Sequence, residues 1–126
     1  MAEILGAFEQ AVLVAILRLG KDAYGRQILR EMSEALGRDV AAGAVYATLD
    51  RLEQKAYVMS RLGPGTAERG ERARRYFRVT ASGVRALNEA KTTLETLWRT
   101  VSWPIAPVKG PSAFVIPSAA KDFRSS

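Results

Sequence analysis

The chain has 126 residues, 48% hydrophobic and 25% charged, the balance of a single soluble globular domain. It contains no cysteine and no histidine, which excludes disulfides, thiolate or imidazole metal sites and histidine-based acid–base catalysis. The net charge of +6 favours an anionic partner, nucleic acid above all.

The apolar spacing predicts a first helix from Ile4 to Leu19. Ile4, Phe8, Val12, Ala15, Ile16 and Leu19 form one stripe, and Leu5, Leu13 and Leu17 a second. A helix apolar on two sides is buried on two sides, so the second stripe is expected to meet a partner subunit. The longest apolar run, Ala11 to Leu17, is far short of the roughly 20 residues of a membrane span, and Glu3 and Glu9 precede it where a leader would be basic. A cytoplasmic protein without membrane contact is expected. Gly20 ends the first helix and Asp22 is the expected cap of a second, Ala23 to Leu36, with Tyr24, Ile28, Met32, Ala35 and Leu36 inward. A third helix runs from Ala42 to Ala56. Val45, Leu49 and Leu52 form its core face, and Gly43, Ala44, Tyr46, Ala47, Thr48 and Arg51 form a small, lightly charged outer face.

The period then changes to two. Tyr57–Leu62 and Arg74–Val79 read as strands, joined by the turn-rich segment Gly63 to Gly70. Residues 61–78 hold six arginines against Glu68 and Glu71, a net +4 out of the total +6. Arginine's planar fork suits phosphate recognition. Arg74 and Arg75 are neighbours on a strand and so point to opposite faces. Thr80 is the expected cap of a last helix, Ala81 to Val101, on which Leu87, Ala90, Leu94, Leu97 and Val101 make a short heptad seam. Four of the five prolines follow, so residues 102–126 read as an extended or disordered tail, with Phe114-Val115-Ile116 as a possible docking strand.

Three helices, a two-stranded hairpin with a basic loop and a closing helix are the order of a winged helix-turn-helix: a mainly α (α+β) fold. The expected division is a DNA-binding domain over 1–80, a dimerisation helix over 81–101 and the tail over 102–126. The small outer face of the third helix suits close approach to a major groove, with Thr48 and Arg51 reaching phosphates or base edges. The arginines of the hairpin, Arg69, Arg72 and Arg74, suit the adjacent minor groove. The acidic residues show only helical surface spacing, and no nucleophile elbow, P-loop or metal-ligand pattern occurs, so neither an enzyme nor a cofactor is expected.

The chain resembles the PadR-like transcriptional regulators. The matching segments are Ala23-Tyr24-Gly25, the run Gly43 to Glu53 around Tyr46, the wing from Glu68 through Arg74-Arg75-Tyr76-Phe77 to Thr80, and Ala81-Ser82-Gly83. The resemblance covers about residues 4 to 101. The single short C-terminal helix is that of the family's small class. The resemblance implies a double-stranded DNA operator, a homodimer and a repressor relieved by a small aromatic or hydrophobic effector. It places Tyr46 on the DNA-facing side, where packing against the wing is the alternative. It also implies a dimer-interface cavity lined by Trp98, with Phe8 as a partner, where plain interface packing is the alternative. Leu5, Leu13, Leu87, Leu94, Leu97 and Val101 are the expected dimer contacts. A winged-helix interaction module without specific DNA binding is the competing reading. The family commonly has glycine where this chain has Ala56, so the end of the third helix is expected to be altered slightly.

Overall fold

The computed structural model describes residues 4–63 and 74–107. The chain divides into two compact units, Met1–Thr93 and Leu94–Ser126. The first holds α1 (Ala7–Leu19), a 3-10 turn (Gly20–Asp22), α2 (Gly25–Leu36), α3 (Ala42–Gln54), β1 (Val58–Gly63), β2 (Arg74–Val79) and most of α4 (Ala81–Trp98). This is the expected winged helix-turn-helix order, mainly helical with one two-stranded antiparallel sheet.

The core forms where the helical stripes meet the inner face of the hairpin. Val12, Leu13, Ala15 and Ile16 of α1, Ile28 and Met32 of α2, and Val45, Leu49 and Leu52 of α3 are buried with Val58, Phe77 and Ala90. The strand register Val58↔Val79 and Ser60↔Phe77 puts these residues on one face, and Met59↔Arg78 and Arg61↔Tyr76 on the other. Lys55 Nζ donates to Glu9 Oε2 at 3.1 Å and ties the end of α3 to the start of α1. Burial alone would raise the Glu9 pKa. The Gly6 N–H bond, the Lys55 ammonium and the Arg51 charge outweigh it and hold the carboxyl below its ordinary value.

Several expectations are corrected. α1 begins at Ala7 rather than Ile4. Asp22 lies in the 3-10 turn and does not cap α2, because Ala23 and Tyr24 are drawn into extended pairing with β2. Phe77 N–H donates to the Ala23 carbonyl at 2.8 Å. Ala35 and Leu36 are exposed and line a shallow groove between α1 and α2. Leu5 and Leu13 lie buried in the core of the first unit and cannot face a partner. The large apolar residues that α1 turns outward are Val14 and Leu17, on the side away from the buried Val12, Leu13, Ala15 and Ile16. The expected strand at Phe114–Ile116 lies outside the described residues.

Thr80 caps α4 as expected: its Oγ1 accepts from Gly83 N–H at 3.0 Å and donates to the Ala56 carbonyl at 2.7 Å. Gly83 is required there, since a Cβ would lie 2.3 Å from the Tyr57 carbonyl oxygen. α3 ends with Ala56 at φ 64°, the left-handed conformation that glycine usually supplies. The cap is kept without glycine: Ala56 N–H reaches the Glu53 carbonyl at 2.9 Å and Tyr57 N–H the Leu52 carbonyl at 2.9 Å. Ala56→Gly should therefore stabilise the fold by about 1 kcal/mol, through relief of left-handed strain partly offset by backbone entropy. Thermal unfolding would show it as a Tm raised by several degrees.

Candidate nucleic-acid interface

α3 is amphipathic in the sense required for groove entry. Val45, Thr48, Leu49 and Leu52 are buried, while Gly43, Ala44, Tyr46, Ala47 and Arg51 are exposed. Thr48 corrects the sequence reading. It is only 2% exposed, and its Oγ1 accepts a hydrogen bond from Arg51 Nη2 at 3.1 Å. It falls one helical turn from Val45 and Leu52, on the core side, so it anchors Arg51 and does not reach outward itself.

The second part is the start of α2. Its N-cap, Tyr24, makes no side-chain capping bond and no acidic residue occupies its first turn, which leaves the positive end of the helix dipole without a counter-charge from that turn. Gly25 opens this helix under the Tyr46 ring. A Cβ at position 25 would lie 2.5 Å from Tyr46 Cε1 and 2.7 Å from its hydroxyl. Tyr46 thus packs against the start of α2 and remains 47% exposed.

The wing supplies the third part. The Arg74 guanidinium sits 4.3 Å from the Tyr24 ring centroid and Arg61 sits 5.1 Å from that of Tyr76. Tyr24 and Tyr76 meet edge to face at 5.5 Å. Gln27 Nε2 donates to the Tyr24 hydroxyl at 3.2 Å, which links this stack to α2. Arg75 points to the opposite face, as strand alternation requires, with its Nη1 3.2 Å from Ser60 Oγ and 3.7 Å from Glu53 Oε1. Arg69 and Arg72 lie outside the described residues. The apolar spacing puts Tyr24 in the core and gives Gly25, Arg61 and Tyr76 no site role. In the structure Tyr24 is half-buried and supports Arg74. The Ala-Tyr-Gly run opening the second helix was the available signal.

Of the remaining expected residues, Phe8 and Leu87 are partly buried against the core of the first unit. In the second unit Leu94, Leu97, Trp98 and Val101 are exposed, with Leu97 at 61% and Trp98 at 48%. Trp98 meets Trp103 edge to face at 5.3 Å. Among the described residues no group of acidic side chains could hold a metal ion, and no helix is long and apolar enough to cross a membrane.

Gly25→Ala tests the Tyr46 packing. It should cost about 1 kcal/mol by overpacking in the wild-type background and nothing in Tyr46→Ala. Urea unfolding of the four proteins of this cycle measures the difference.

The chain is similar in fold to several solved structures. A PadR-family transcriptional regulator from Eggerthella lenta is 24% identical, with a TM-score of 0.59 over 71% of this chain and 75% of that one. A PadR-like transcription factor from Bacteroides fragilis is 26% identical, with a TM-score of 0.61 over 74% and 84%. A PadR-like regulator from Bacillus cereus is 21% identical, with a TM-score of 0.62 over 75% and 87%. No curated protein sequence matches the chain. The family model of the PadR-like transcriptional regulators matches residues 12–89, from α1 through the wing into α4, and the chain belongs to that family.

Proposed function

We propose that the protein is a sequence-specific DNA-binding repressor that acts as a homodimer and is relieved by a small aromatic or hydrophobic effector. The observation that carries the DNA reading is one continuous surface. It runs from the small outer face of α3, across Tyr46 and the uncapped start of α2, to Arg74 on Tyr24 and Arg61 on Tyr76. Small side chains on α3 let its backbone approach base edges. The start of α2 suits a phosphate, and the tyrosine rings hold two arginines of the wing in place at little entropic cost. Residues 1–80 form the DNA-binding part in this reading, and the sequence adds Arg69 and Arg72 as further DNA contacts.

Footprinting on the DNA upstream of the protein's own gene tests this. The expected result is a roughly palindromic site whose half-sites lie about 34 Å apart, one helical turn of DNA. Tyr46→Ala and Arg51→Ala should weaken specific binding more than non-specific binding. Arg74→Ala should weaken both and flatten the salt slope by about one unit if it neutralises one phosphate. Equal retention of the upstream DNA and a random duplex, with no footprint, would favour the interaction module instead.

The homodimer rests on apolar surface left open in each unit. Val14 and Leu17 are exposed on α1, beside the α1–α2 groove of about 280 Å³, and Leu94, Leu97, Trp98 and Val101 are exposed in the second unit. Large apolar side chains left exposed along one helix mark a protein–protein interaction site. Residues 81–101 are the dimerisation segment in this reading, and an effector wedged beside Trp98 favours a dimer whose reading helices miss the DNA spacing. Leu97→Glu should give a monomer in sedimentation at tens of micromolar. Trp98→Ala should keep operator binding and lose the response to planar aromatic compounds. A wild-type monomer at that concentration would sink the dimer.

A further inference from the structure

The outer face of the wing carries a groove of about 420 Å³ that lies among residues assigned no role in reading DNA, apart from Arg61 and Tyr76 at its border. Its walls come from the 3-10 turn, through Gly20 and Lys21, and from the strands, through Met59, Arg61, Tyr76 and Arg78. The register creates it. Met59↔Arg78 and Arg61↔Tyr76 are paired residues on the face opposite the core, so two arginines, a thioether and a phenol ring share one surface. Arg78 Nη2 lies 3.4 Å from Met59 Sδ, and Arg61 lies over the Tyr76 ring. A thioether and a ring face are weak acceptors for a guanidinium. Among the described residues no carboxylate lines the groove, and no ion pair engages Lys21, Arg61 or Arg78. Three cations therefore surround an apolar floor, and no described carboxylate pairs with them.

We propose that this groove binds an organic anion with an apolar body, and that its occupancy opposes DNA binding. The volume falls within the roughly 300–1,000 Å³ of small-molecule sites. An anionic head satisfies Lys21 and Arg78 while the body covers Met59 and Tyr76. The opposition to DNA rests on the DNA-binding reading above. Tyr76 is the shared wall: one side meets the groove, and its ring meets Tyr24, which carries Arg74. A bound anion draws Arg61 from Tyr76 and places negative charge beside the wing arginines. DNA and anion then disfavour each other by the same factor, as linkage demands.

The test uses the full chain and 2-naphthyl phosphate, with 2-naphthol as the uncharged body and inorganic phosphate as the head alone. In nitrogen–proton correlation spectra of the free protein, 2-naphthyl phosphate should shift the Lys21, Met59 and Arg78 amides saturably. Each control should bind at least about tenfold more weakly, as should Lys21→Gln and Arg78→Gln, the loss expected for a charge-assisted contact. Lys21 is exposed, so Lys21→Gln leaves the fold intact. Equal shifts with 2-naphthol, or unchanged affinity in Lys21→Gln, would overturn the site. At the lowest concentration that saturates the wild type, the ligand should lower operator affinity several-fold there and markedly less in Lys21→Gln; an unchanged operator affinity in the wild type would overturn the opposition to DNA. A protein that binds no DNA even without ligand would refute the DNA reading, while the titration of the free protein still decides the site.

Discussion

The pairing of Ala23 and Tyr24 with β2 organises the first unit. A β-bridge between Tyr24 and Tyr76, with Phe77 N–H donating to the Ala23 carbonyl, joins the turn before α2 to the wing. It fixes where α2 can start, because Tyr24 is held extended and the helix begins only at Gly25. That start sets the position of Gly25 beneath Tyr46, and so the place of the α3 ring. The same pairing sets Tyr24 against Tyr76, and strand alternation then carries Arg74 onto Tyr24 and Arg75 to the opposite side. One β-bridge thus positions side chains from three elements on one surface.

The other end of the wing is held by different means. Thr80 bonds both the first turn of α4 and the carbonyl of Ala56, and Gly83 lets α4 approach Tyr57 closely. The left-handed Ala56 closes α3 so that Tyr57 can turn into β1. These contacts lie far in sequence but close in space, as expected where a short hairpin is framed by helices. Among the described residues the core holds no buried charge: its buried side chains are apolar apart from Thr48, whose hydroxyl is hydrogen-bonded to Arg51.

Charge and exposure divide the surface by element. Arg61 lies on the Tyr76 ring, Arg74 on the Tyr24 ring and Arg78 on the Met59 thioether, while Arg75 turns to Ser60 and Glu53. A guanidinium on a ring keeps its charge available while its stem is held. That is the property an anion-binding surface needs. Exposed large apolar residues gather most densely beyond Thr93, at Leu94, Leu97, Trp98, Val101, Trp103 and Ile105.

The sequence by itself determined the order of elements, the inner faces of α3 and β2, the Thr80 cap and the opposite pointing of Arg74 and Arg75. Each depends on local period or local capping, which the chain carries in consecutive residues. Membership of the PadR-like family was legible in the Tyr46 run and the Arg-Arg-Tyr-Phe strand. Only the tertiary structure decided the start of α2, because Asp22 is a competent cap on local grounds and loses to a pairing with a strand some fifty residues away. It also decided that Leu5 and Leu13 are core, that Thr48 is an inward anchor, and that Tyr24 supports an arginine. Apolar or polar character gives which residues seek burial. Which neighbour buries them depends on packing between distant segments, and no local spacing records it.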